Sequence, residues 1–224
     1  MTRRRWQFTL AGAALALLAA CASAPDDDGA GRTVQMPLEW NSIDLAEADL
    51  DLPLVAPLEI ATLSKRIGEG QVFENLYTFH GVKGYVLTSR VVFGGYTERY
   101  SKTLGSLSDF KTHAAELSLP PGGKMTVQDA RPFLNGKPLT RGFVATATAE
   151  PYHARCFVAR IGYRMVDYAS VTRAPDVVDT VVDVLLCGDL PRDTALLQML
   201  TKVTAVEDRA AFRRKLSKLP IGTI

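Results

Sequence analysis

The 224-residue sequence predicts an α+β fold: mainly an antiparallel sheet with one inserted helix and C-terminal helices, after a signal peptide and a tether. Three observations predict it. About seven segments rich in aromatic and β-branched residues are separated by Gly, Pro and Asn turns. Strands and helices do not alternate regularly, which argues against a doubly wound parallel sheet. The last ~30 residues carry capping signals and apolar spacing that read as helices.

The N-terminus reads as an address. Arg3, Arg4 and Arg5 form a basic head, and Phe8 to Ala20 form a largely apolar run of 13 residues. That run is short of the ~20 residues a membrane-crossing helix needs, so residues 1–20 read as a secretory signal peptide. The boundary "LAAC", Leu18 to Cys21, resembles the lipobox of bacterial lipoprotein precursors, and the resemblance covers about the first 28 residues. It implies that Cys21 receives a diacylglycerol, that cleavage falls immediately before it, and that the new amine is acylated, giving a palmitate-type anchor. Two acyl chains hold stably where one is marginal. Ala22 stands where an aspartate is absent, which in that class implies sorting to the outer membrane, on its periplasmic face. "RRRWQF" partly resembles a twin-arginine signal, and the general secretion route is favoured.

Removing residues 1–20 deletes three arginines and no acids, so the formal charge moves from +2 to −1 over the 204 residues left. A near-neutral body offers no strong overall attraction to nucleic acid, and none is expected as a partner. Residues 21–34 hold the lipidated cysteine and a small, acidic, glycine-rich tether. Residues 35–57, with Pro37, Pro53 and Pro57, read as an extended arm lying on the domain and outside its centre. Residues 58–224 read as a single α+β periplasmic domain.

Within that domain "PLEIATLSKRIGEG" predicts a short helix, with Pro57 at its start and Gly68 as its stop. "QVFENLYTFH", "GYVLTSRVVF" and "YTERYSKTL" predict three strands, with "HGVKG" and Gly94–Gly95 as turns. "SLSDFKTHAAEL" predicts the inserted helix, Ser106 and Asp109 standing in capping-box spacing. Strands resume in "KMTVQDARPFL" and "RGFVATATAE", with Asn135–Gly136 as the turn, and continue in "ARCFVARIGYRM" and "DTVVDVLLC". "PRDTALLQMLTKV" and "EDRAAFRRKLSKL" predict the C-terminal helices, with a second capping box from Thr204 to Glu207 between them.

Chemical motifs are sparse. His113 and Glu116 share a helix face at i, i+3, but no second metal-ligand pair accompanies them, and neither a metal nor a cofactor is expected. No GxSxG is present, and the glycine clusters lack the strand–loop–helix context of a phosphate cradle. No catalytic residue is assigned. One pair stands out: a two-residue loop at Gly94–Gly95 sets Arg90 opposite Arg99, unfavourable unless an anion lies between them. A register one residue away sets Arg90 against Tyr100 instead. Arg90 and Arg99 are therefore carried as a possible anion-binding pair. The basic run "FRRKLSKLP" reads as a solvated helix end that favours its own dipole.

Cys156 and Cys187 are predicted to form a disulfide. With Cys21 acylated, two thiols remain in a chain bound for an oxidising compartment. Laying their strands antiparallel with the cysteines opposed also aligns Val158 with Leu185 and Arg160 with Asp183 on one face. A bridge also removes Cys156 as a ligand beside His153.

The expectation from all this is a lipoprotein anchored in the outer membrane through Cys21, with a non-enzymatic binding or envelope-assembly domain whose partner is an envelope protein or glycan. The rivals are a periplasmic hydrolase acting on envelope polymers, and a carrier of an apolar ligand.

Overall fold

The computed structural model describes residues 39–68, 72–91, 101–117, 124–134, 140–150, 153–165 and 178–218. All belong to one compact unit, Leu38–Ile224. Cys21, the signal peptide and the tether lie outside the described residues, as do Arg99 and the turns at Gly94–Gly95 and Asn135–Gly136.

The chain forms an α+β fold on an eight-stranded antiparallel sheet. In chain order the strands are β1 (Asn41–Ser42), β2 (Leu50–Asp51), β3 (Ile60–Gly68), β4 (Val72–Phe79), β5 (Val82–Val91), β6 (Met125–Pro132), β7 (Arg141–Ala149), β8 (Ala154–Tyr163), β9 (Thr180–Gly188) and β10 (Thr204–Ala205). The main sheet has the order β1-β3-β4-β5-β9-β8-β7-β6, and β2 pairs separately with β10. The helices are α1 (Ser101–Gly105), α2 (Leu107–Glu116), α3 (Asp193–Thr201) and α4 (Arg209–Leu216). Two meanders, β3–β5 and β6–β9, therefore meet along the β5–β9 seam. Gly84 permits the close approach there. Its φ is 105°, and a Cβ would sit 1.9 Å from the Leu185 carbonyl oxygen.

Period-two alternation sorts each strand between two layers. One face carries Tyr77, Val86, Phe157, Ile161 and Val184, packed under Leu196 and Leu200 of α3 and Phe212 and Leu216 of α4. The other carries Ala145, Cys156, Val158, Leu185 and Cys187, packed under Phe110 and Ala114 of α2. Strands β8 and β9 are thus covered on both sides, and every described side chain of β9 from Thr180 to Cys187 is buried. The β6 edge is blunted by Pro132, by the exposed Asp129–Arg131 pair, and by a bulge between Gln128 and Arg131.

The inserted helix starts where Ser106 predicts, its hydroxyl accepting the Asp109 amide at 3.2 Å, and the α1 turn precedes it. Four expectations are corrected. "IATLSKRIG" is strand β3 and not a helix, because its ladder to β4 puts Leu63 and Lys65 on one face and Ser64 and Arg66 on the other. Pairing outweighs the local cap signals. The described end of "YTERYSKTL", from Ser101, is helix α1 and not strand, and β4 and β9 occupy both flanks of β5; residues 96–100 lie outside the described residues. The arm is part of the core: Ala48, Leu50 and Leu52 are buried in the main cluster. Thr204 lies in β10 opposite Asp51, and the cap of α4 is Asp208, whose carboxylate accepts the Ala211 amide at 2.9 Å.

Candidate functional site

Across the β3–β4–β5–β9 end of the first face run two rows of side chains set by register. Ile67, Phe73, Arg90, Thr180 and Tyr163 form one row, and Lys65, Asn75, Thr88 and Val182 the next. The second row meets the arm. Asp49 accepts from Lys65 Nζ at 2.9 Å, from Asn75 Nδ2 at 3.0 Å, and from Arg209 Nη2 at 3.0 Å. Arg209 also donates to the carbonyls of Ala46 and Ala48. One carboxylate thereby ties the arm, the sheet and the start of α4. Lys65 also lies 5.3 Å from the Phe73 ring centroid, so its charge is held over the rows.

Among the described residues, three buried polar atoms at this end of the face have no hydrogen-bond partner: Asn75 Oδ1, Tyr77 OH and Arg90 Nε. The orientation of the Asn75 amide follows from its neighbour. An ionised carboxylate only accepts, so the nitrogen must face Asp49 and the oxygen points away from it. Tyr77 stays a neutral phenol, because burial first, and then the negative charges of Asp49 and Asp51, push its pKa up. Arg90 is half-buried. A buried guanidinium N–H without an acceptor costs free energy, and an oxyanion is the group that relieves it.

The register revises the geometry expected around Arg90. Its neighbours across the sheet are Phe73 on β4 and Thr180 on β9; Arg99, expected opposite it, lies outside the described residues. What the structure puts beside Arg90 is an aromatic ring position and a hydroxyl residue, with Thr88 and Asn75 one row away.

On the opposite face Arg160 grips Asp183 with two bonds, Nε to Oδ1 at 2.5 Å and Nη2 to Oδ2 at 3.1 Å, and donates to Thr103 Oγ1 at 3.2 Å. His113 stands in the field of this pair. Burial first, and then Arg160, hold its pKa below the ordinary value. A neutral imidazole can accept a proton, but both Asp183 oxygens are committed to Arg160, so the group is built as a lock on the sheet. Tyr85 is pushed up by burial and by Asp183. Next to it in the sheet lies the disulfide. Cys156 and Cys187 are bridged as directly opposed residues, with Val158 opposite Leu185 and Arg160 opposite Asp183, as the sequence predicts.

No group of three or more His, Cys, Asp or Glu side chains able to hold a metal occurs among the described residues. Sequence reasoning missed Asp49, Asn75, Tyr77 and Arg209. The available signal was "ADLDLP", where acids at 49 and 51 alternate with Leu50 and Leu52 in the manner of a short strand. No family model, curated protein or solved structure matches the chain.

Proposed function

We propose that this chain is a lipoprotein precursor whose mature form is held at the periplasmic face of the outer membrane through Cys21. There residues 38–224 act as a non-enzymatic binding or assembly domain for an envelope protein or glycan. The carrying observation is the pairing of the cysteines. Of three in the sequence, Cys156 and Cys187 are bridged. The third stands at the "LAAC" boundary, the arrangement expected of a chain oxidised outside the cytoplasm and acylated at its remaining thiol. The buried Arg90 Nε, without an acceptor among the described residues, supports a binding role, since an oxyanion of a partner carboxylate or acidic sugar satisfies it.

The anchor is tested by metabolic labelling with palmitate and by fractionation. Native protein takes the label and sediments with outer membranes, and Cys21→Ser abolishes both. Label retained by Cys21→Ser overturns the lipoprotein reading. The binding role is tested by in-cell crosslinking and recovery of the partner. Arg90→Ala lowers recovery while the domain stays folded, and unchanged recovery removes Arg90 from the site.

A further inference from the structure

We propose that the outward face of α4 docks on an anionic lipid surface, so that the domain lies against the membrane as well as being tethered to it. The proposal takes its geometry from the Cys21 anchor and its chemistry from α4 alone. Phe212 and Leu216 are buried in the core, whereas Arg213, Arg214, Lys215 and Lys218 are exposed. The backbone keeps its helical path to the end of this run, Ser217 N bonding Arg213 O and Lys218 N bonding Lys215 O. At about 100° per residue, Arg214 and Lys218 then point away from the Phe212–Leu216 stripe, with Arg213 and Lys215 on either side. From Phe212 to Lys218 there are four cations and no acid.

Internal pairing absorbs little of this charge. Lys215 pairs with Asp51, and Arg209, one turn earlier, is committed to Asp49 and the arm carbonyls. Arg213, Arg214 and Lys218 form no ion pair among the described residues. The nearby acids, Glu207 and Asp208 before the helix and Asp44 and Glu47 on the arm, sit toward its N-terminal end, and Asp208 is used as the cap. The helix is therefore polarised, and its C-terminal half presents the cations.

Charge complementarity makes an anionic lipid surface the occupant, and connectivity keeps such a surface within reach. Helix α4 packs against the arm turn Leu45–Glu47, a few residues after the unit begins at Leu38. Only residues 22–37 separate that point from Cys21, a span of at most ~55 Å when fully extended. A cation near an anionic lipid surface raises partition about fivefold, so three unpaired ones give roughly a hundredfold. A lipid anchor combined with a basic patch is a known two-signal arrangement.

The test uses the full-length lipidated protein carrying Ser217→Cys, whose thiol is then the one neither acylated nor bridged. It is labelled with a fluorophore and mixed with vesicles bearing a headgroup quencher, made of phosphatidylcholine alone or with one third phosphatidylglycerol. Flotation with the zwitterionic vesicles reports the anchor. Quenching reports docking: it is several-fold stronger on the anionic vesicles, and is lost near ~1 M salt, where the screening length is ~3 Å. Adding Arg213→Glu with Arg214→Glu abolishes the difference, and adding Arg213→Gln with Arg214→Gln, which puts no acid at the helix C-terminus, weakens it; both pairs are exposed, and an unfolding curve of each variant verifies that the domain stays folded. Equal quenching on the two lipids, or indifference to charge reversal, overturns the docking while flotation still upholds the anchor. Capture by anionic vesicles alone, dependent on Arg213 and Arg214, overturns the anchor and upholds the docking. Capture by neither vesicle overturns both.

Discussion

The β8–β9 pair and the β3–β4–β5 meander are neighbouring parts of one sheet held by different physics. Between β8 and β9 apolar side chains are buried on both faces, and the cross-strand set on one of them is a disulfide, an apolar pair and a two-bond ion pair. Each of these depends on the others being in register, since a one-residue slip moves all three to the wrong face. The meander is covered less uniformly. One of its faces carries Lys65, Asn75, Thr88 and Arg90, and order there comes from Asp49, which arrives from the arm. Its opposite face carries the Arg66–Glu74 pair, with Arg66 stacked 4.3 Å from the Trp40 ring centroid and Ser89 donating to Glu74. The lesson is that β8–β9 is specified by its own two strands, whereas the meander is specified by segments remote from it. The unsatisfied polar atoms collect in the meander, where binding chemistry has room to act.

Cutting the bridge removes the covalent constraint on β8–β9. Replacing both cysteines, Cys156→Ala with Cys187→Ala, should lower the unfolding free energy by about 3–4 kcal/mol, the chain-entropy value for a loop of this length. The two cysteines are 31 residues apart. Urea unfolding of the two proteins measures it, and a loss below ~1 kcal/mol would show that β8–β9 holds its register without the bridge.

Asp49→Ala attacks the other region. It leaves Lys65, Asn75 and Arg209 without their common acceptor and should cost about 2–3 kcal/mol, less than a fully buried network because the two cations are partly exposed. Hydrogen exchange sharpens the contrast. Amides of the arm, of β10 and of Val206 just after it, whose N–H bonds Asp49 O, should exchange faster, while those of β8 and β9 stay protected. Equal acceleration in both regions would make the sheet a single cooperative unit.

The face covered by α2 can be probed by pH. His113 has a folded pKa below 6.5, from burial and then Arg160, opposed by Asp183 and Glu116. Between the folded and unfolded values the unfolded chain binds more protons, so stability is full above pH ~6.5 and is lost as pH falls through that window. His113→Gln should flatten this part of the stability–pH curve, measured by unfolding midpoints between pH ~7 and ~5. An unchanged slope would place the acid sensitivity elsewhere.

The smallest expected effect is at Arg90. Arg90→Met removes no bond, and relieves a buried N–H that lacks an acceptor, so stability should change by no more than about 0.5 kcal/mol. A loss above ~1.5 kcal/mol would reveal a structural partner for Arg90 and remove the reason to regard it as a binding residue.

By itself, the sequence determined the fold class, the Ser106 cap of the inserted helix, and the register that sets Cys156, Val158 and Arg160 against Cys187, Leu185 and Asp183. These features are encoded within one helix turn or within two facing strands, where alternation and side-chain pairing leave few arrangements open. Only the tertiary structure decided that β3 is a strand, that the arm enters the core, that β9 takes the flank of β5, and that Asp49 gathers Lys65, Asn75 and Arg209. The reason is range. Asp49 and Arg209 are 160 residues apart, and a polar contact over that distance leaves no periodic trace in either segment. Arg90 shows the same limit from the other side. The sequence set it against Arg99 or Tyr100 in a hairpin, but only the closure of β4 and β9 around β5 determined that Phe73 and Thr180 face it, with its Nε unpaired among the described residues.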